Sequence, residues 1–80
     1  EIMSEKLYTL ISKILKIPLH EINDDISHQT TSTWTSFIGY VMLNELETTF
    51  DVKFSIDEAM DVKNVADIKR HLKNHGVSFD

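Results

Sequence analysis

Eighty residues and 9.3 kDa set the scale of one domain, residues 1–80. With 41% apolar and 26% charged residues, two Gly, one Pro and no Cys, the composition is that of a globular domain; it excludes collagen, a disordered tail, a disulfide framework, a thiolate metal site and a catalytic thiol of the chain's own. The net charge of -5 argues against a nucleic-acid binder, which needs a basic stripe.

Taken in chain order, the first predicted helix covers about Ser4 to Lys16. Leu7, Leu10, Ile11 and Ile14 recur at helical spacing, Ser4 is a candidate cap, and Lys13 and Lys16 suit the C-terminal end of the dipole. Pro18 stops it, because proline disfavours helical geometry at the residue before it. Ile17 to Thr35 has no sustained period. This connection of roughly nineteen residues is long for so small a domain, and Leu19, Ile22 and Ile26 are its expected anchors. Ser and Thr crowd its second half, where they favour local bonds to the backbone.

The second helix is predicted from about Ser36 to Phe50, with Phe37, Val41, Leu43, Leu46 and Phe50 as an apolar stripe and Thr35 or Ser36 as its cap. Gly39 costs it about 1 kcal/mol against Ala, which close packing or access near the helix start would justify. Ser55-Ile56-Asp57-Glu58 is a capping box and opens a short helix to about Asp61. Asn64 and Asp67 start the last helix, about Val65–Asn74, which buries Val65, Ile68 and Leu72 and stops at Gly76. The pattern is all-α: three longer helices, one short one and no strand. No apolar run reaches the length of a membrane span or a signal-peptide core.

Little in the chain suggests catalysis of its own. Asp24-Asp25 and Asp57-Glu58 read as solvated acidic surface. His71 and His75 are four apart, a zinc spacing, but without a third ligand; solvated terminal histidines are the expectation and no metal site is assigned. Trp34, Phe37, Tyr40, Phe50 and Phe54 read as core or loop anchors, and Met42 and Met60 as core fillers or the lining of an adaptable groove. Ser36 stands out. It opens the longest helix after a long loop, where an exposed hydroxyl would face the positive end of the dipole, a place suited to a phosphate group. A plain helix-capping Ser is the competing reading.

Trp34-Thr35-Ser36-Phe37 through Leu46-Glu47-Thr48-Thr49-Phe50-Asp51-Val52 resembles the acyl carrier protein family, peptidyl carrier domains included. The first stretch is similar to that family's Asp-Ser-Leu motif, and the second to the Leu-Glu-x-x-Phe-x-Val/Ile ending of its recognition helix. Ile56-Asp57-Glu58-Ala59 and Val62-Lys63-Asn64-Val65-Ala66-Asp67-Ile68 continue the register through the short third helix into the last. Three positions depart from the pattern: Thr35 stands for the motif Asp, Phe37 for the Leu, and Thr33 for the usual Gly, followed by bulky Trp34. In the family that Asp helps the transferase and its metal ion engage the carrier.

The resemblance implies an antiparallel four-helix bundle of acyl-carrier type with a long loop between the first two helices. It also implies a carrier, not an enzyme, bearing covalent 4′-phosphopantetheine on Ser36 and shuttling acyl or aminoacyl thioesters in a fatty acid, polyketide or related pathway. A phosphopantetheinyl transferase would attach the arm, supplying the thiol the chain lacks. Thr35, Phe37, Glu45, Glu47, Asp57 and Glu58 are the expected partner-binding residues. Residues 35–61 sum to -5, which suits partner enzymes with basic docking surfaces. A cytoplasmic monomer is expected, with neither nucleic acid nor a membrane span. The alternatives are an unmodified carrier-like adaptor, which Thr35 and Trp34 motivate, and an unrelated helical interaction domain.

Overall fold

The computed structural model describes residues 3–79. Four α-helices follow one another: α1 (Met3–Leu15), α2 (Ser36–Phe50), α3 (Ile56–Asp61) and α4 (Val65–Asn74). The described residues contain no strand; Ser27 and Asn64 form one isolated antiparallel bridge. The fold is all-helical, with three longer helices and one short one, as expected from the sequence.

Each helix end has a local cause. Three helices end in the same way, with a left-handed residue after the last turn: Lys16 (φ 59°), Asp51 (φ 55°) and Gly76 (φ 95°). The next N–H then reaches back to a carbonyl of the last turn, in Ile17→Ser12, Val52→Glu47 and Val77→Leu72. Only Gly76 meets this need without a Cβ penalty. Asn64 caps α4 by accepting from Asp67 N at 2.8 Å. Ser4 is not a cap: it lies inside α1, and its hydroxyl donates to the Phe79 carbonyl, tying the two ends of the described chain together.

The core is drawn from three helices and the loop. Leu7, Ile11 and Leu15 of α1, Met42 and Leu46 of α2, and Val65, Ile68 and Leu72 of α4 are buried, joined by Ile22 and Trp34. Burying one such aliphatic side chain contributes about 1.5–3 kcal/mol. Leu10, Ile14 and Phe50 are only half-buried against this core, and Val41 is half-buried. The face of α2 therefore differs from the expected stripe: Met42 and Leu46 point inward while Phe37 is exposed.

The long connection is ordered by its neighbours. Leu19–Glu21 makes a 3₁₀ turn after Pro18. The Asp24 and Ile26 carbonyls accept from the first N–H groups of α4, Ala66 and Val65, both at 3.0 Å, satisfying donors that the helix itself leaves open. The Asp24 carboxylate accepts from Tyr8 Oη at 2.6 Å and pairs with Lys69 Nζ at 3.3 Å. The Tyr8 bond, with Lys69 beside it, holds the Asp24 pKa below the ordinary carboxylate value. Asp24 is thus a structural tie between the loop, α1 and α4, and not the solvated carboxylate the sequence suggested.

Candidate functional site

The site is built where the loop turns into α2. Thr35 has extended backbone geometry and caps the helix, its Oγ1 accepting from Ile38 N at 3.1 Å. Ser36 therefore is not the cap. It takes the first helical position, and it is exposed. The first turn of this helix, Ser36–Phe50, carries no acidic residue, so the positive end of its dipole is not neutralised by a neighbouring carboxylate.

Trp34 fixes this turn. The indole is buried, its backbone N–H donates to the Thr31 carbonyl at 3.0 Å, and its ring meets His28 edge-on at 6.5 Å. Gly39 makes room for it: a Cβ there would lie 3.1 Å from the indole Nε1. Close packing is therefore the reason for a glycine near the start of the helix, one of the two that the sequence allowed.

Beside Ser36 runs a groove of about 720 Å³. Trp34, Tyr40, Met42 and Leu43 line it from the α2 side, and Ala59, Met60 and Val62 from α3 and the residue after it. Thr35, Ser36, His28 and Lys63 add polar atoms. Ser36 is both solvent-exposed and part of the lining, so its hydroxyl stands at the groove's edge. Met42 reaches the core as well as the groove, whereas Met60 is exposed.

The acidic residues do not form a uniform surface. Glu45 and Asp57 are exposed. Glu47 is half-buried, and its Oε2 accepts from Phe54 N at 2.8 Å. Glu58 completes the capping box, accepting from Ser55 N at 2.8 Å, and also bonds His75 Nε2 at 2.9 Å. The Ser55 N–H, with His75, holds the Glu58 pKa below its ordinary value. Asp61 receives Arg70 at 2.6 Å and His71 Nε2 at 2.8 Å, and its pKa is lowered by Arg70 first and His71 second.

These contacts correct the reading of His71, whereas His75 is exposed as expected and pairs with Glu58. His71 is buried, not solvated; its Nδ1 has no hydrogen-bond partner and faces Glu58 Oε2 at 3.7 Å. Its spacing of three from Ile68 already placed it on the buried face of α4, and that was the available signal. His71 and His75 tie α4 to α3, and among the described residues no group of three or more His, Asp or Glu side chains is placed to hold a metal ion.

The site thus combines an exposed hydroxyl at the start of a long helix with an apolar groove beside it. The sequence model of the family described as "Phosphopantetheine attachment site" matches residues 5–72. The chain belongs to that family, and its cofactor is covalent 4′-phosphopantetheine. No curated protein matches the chain. The residues present fit the group: an exposed hydroxyl is available to form the phosphate ester, at the positive end of a long helix, with an apolar groove alongside. Among the described residues no helix is long and apolar enough to cross a membrane.

Proposed function

We propose that the chain is a single carrier domain that bears its 4′-phosphopantetheine on Ser36 and holds acyl or aminoacyl groups as thioesters for partner enzymes of a fatty acid, polyketide or related pathway. The observation that carries this reading is the placement of Ser36, exposed at the first position of α2 and at the edge of the groove. Attachment forms a phosphate ester at the Ser36 oxygen. The pyrophosphate bond of coenzyme A breaks, the nucleotide leaves, and the hydroxyl proton passes to a base of the transferase. Thr35 supports the reading in one respect: it keeps the helix cap that presents Ser36, although it brings no carboxylate to the transferase's metal ion.

The arm supplies the thiol, and this chain supplies position. A tethered cargo meets each partner at a raised effective concentration. Glu45 and Asp57, both exposed, are offered to basic partner surfaces, with Phe37 and Thr35 beside the modified hydroxyl. Glu47 and Glu58 contribute by holding the loop and the start of α3 in place. The groove is of a size to shelter an apolar cargo, which typically takes a few hundred Å³ or more.

Intact mass after incubation with coenzyme A and a broad-specificity phosphopantetheinyl transferase tests this reading. The expected result is a gain of one phosphopantetheine on the wild type and none on Ser36→Ala. No gain on folded protein with several transferases favours the unmodified adaptor, for which Thr35 in the place of the motif Asp is the specific motive.

A further inference from the structure

Among the described residues, His71 is the one polar or charged residue that is buried, with 7% of its surface exposed. Its ring lies between two carboxylates of α3. Nε2 is 2.8 Å from Asp61 Oδ2, and Nδ1 is 3.7 Å from Glu58 Oε2. Nδ1 has no hydrogen-bond partner. Both carboxylates are held in their ionised form, Asp61 by Arg70 at 2.6 Å and Glu58 by the Ser55 N–H at 2.8 Å, and both have pKa values below the ordinary one.

This geometry decides where the ring's protons sit. An ionised carboxylate can only accept. The short contact to Asp61 therefore requires a proton on Nε2. In a neutral ring Nδ1 is then bare, and its lone pair faces a Glu58 oxygen in a place closed to water, which is a costly arrangement. A second proton on Nδ1 makes the ring a cation with a carboxylate on each side, and gives the orphaned nitrogen an acceptor.

The surrounding charges favour that cation. Glu58 and Asp61 come from α3. From α4 come Arg70, which pairs with Asp61 and Asp67, and His75, which pairs with Glu58. Phe54, before α3, meets the His75 ring edge-on, and Lys63, after α3, donates from its ammonium to the Met60 carbonyl at 2.9 Å. Three carboxylates thus face one guanidinium. The cluster carries two excess negative charges while both rings are neutral and none when both are charged. Burying a cation at His71 costs desolvation, which the two flanking carboxylates offset.

We infer that the second proton of His71 pins α3 to α4 and makes the seating of α3 sensitive to pH near neutrality. No residue of α3 is buried, and Glu58 and Asp61 tie it to α4. The same helix supplies Ala59 and Met60 to the groove beside Ser36, so the pin holds one wall of that groove. Imidazoles ordinarily titrate at about pH 6.5. Stability that depends on a bound proton is lost as the proton leaves, so α3 loosens as pH rises through neutrality, while Glu58 and Asp61 stay ionised throughout. Modification of Ser36 plays no part in this seating.

Ring and helix can be read separately, on the whole chain before any arm is attached. Ring-nitrogen NMR spectra of the wild type, at pH values about one unit below and two units above the ordinary imidazole value, show which nitrogens of His71 carry protons. Both are expected to be protonated at the lower pH, and Nδ1 to be bare at the higher. Amide protection factors, corrected for intrinsic exchange, are followed over the same range. At Ala59 and Val62, whose N–H groups bond the Ser55 and Ala59 carbonyls, they should fall at least about tenfold. Those of Ile11 in α1 and Leu72 in α4 should stay within about threefold. His71→Gln should remove the fall at α3, and His75→Gln should keep it.

A bare Nδ1 at the lower pH overturns the inference, and so do α3 protection factors that are flat with pH in the wild type. A fall that survives in His71→Gln, or that His75→Gln abolishes, places the pin elsewhere and overturns it too. The two wild-type readings decide the matter even where His71→Gln does not fold. Neither depends on coenzyme A or a transferase, so this inference and the carrier reading fail separately.

Discussion

Thr35 and Ser36 were both candidates for the cap of α2. Both are hydroxyl residues at the start of an apolar run, and pattern alone does not choose between them. The chain geometry does: Thr35 is extended and Ser36 helical, so Thr35 accepts the Ile38 N–H and Ser36 is left exposed. Thr35→Ala should therefore cost about 0.5–2 kcal/mol on a urea curve, with Thr35→Asp close to wild type. Ser36→Ala should be neutral within about 0.5 kcal/mol, the range of ordinary surface substitutions. A larger loss for Ser36→Ala than for Thr35→Ala would reverse the assignment. Gly39 gives a second test. Replacing it with Ala gains about 1 kcal/mol of helix propensity. The new Cβ would sit 3.1 Å from the Trp34 ring, which is buried and has little room to yield. The expected outcome is no net gain in stability together with a shifted Trp34 emission; a full gain with unchanged emission would contradict this packing.

The last three helices were legible to the residue, because each announces itself with a cap or stop: the hydroxyls before Phe37, the capping box at Ser55, Asn64 and Gly76. The buried face of α2 was not legible. Its residues are apolar on almost every side, so periodicity offers Val41 and Met42 equally, and only the position of α1 and α4 selects Met42 and Leu46. Leu46→Ala should cost about 2–5 kcal/mol on a denaturant curve, and a cost under about 0.5 would contradict its burial.

The short helix α3 is held differently. It has no buried residue of its own, and its ties to α4 are polar: Glu58 to His75, Asp61 to His71 and Arg70. Such side-chain pairings across elements have no sequence period, which is why only the capping half of Glu58's role could be read. The Glu58 and Asp61 pKa values are lowered in the fold. A carboxylate of that kind contributes stability that is present above its unfolded value and is lost as pH falls through its folded value. As pH drops below about 4, α3 amides should lose hydrogen-exchange protection before those of α1 and α4. A single transition shared by all the helices would contradict the polar seating of α3.

At the scale of the whole molecule, the parts converge on presenting one hydroxyl. The loop is tied to α1 and α4 through Asp24, its end is packed by Trp34, and α2 starts from that fixed point. Asp24→Asn should loosen this assembly, lowering the thermal midpoint and raising loop exchange, since one member of a linked polar network is removed. The family could be read in the sequence from Trp34-Thr35-Ser36-Phe37 and the Leu46–Val52 ending, and the matching family model spans residues 5–72. Of the groove, the sequence offered only Met42 and Met60 as lining; its other walls come from the loop, α2 and α3, which only folding brings together. The exposure of Phe37 did not follow from periodicity, which put it on the apolar stripe of α2, although the family resemblance gave it a place among the partner-binding residues.

The most direct measurement is localisation of the arm. After transfer from coenzyme A, the tryptic peptide bounded by Lys16 and Lys53 is fragmented and the modified oxygen assigned among Thr30, Thr31, Ser32, Thr33, Thr35 and Ser36. The account predicts one phosphopantetheine, on Ser36 alone. Attachment to Thr35 or to a loop hydroxyl, or an unmodified peptide from folded protein, would contradict it.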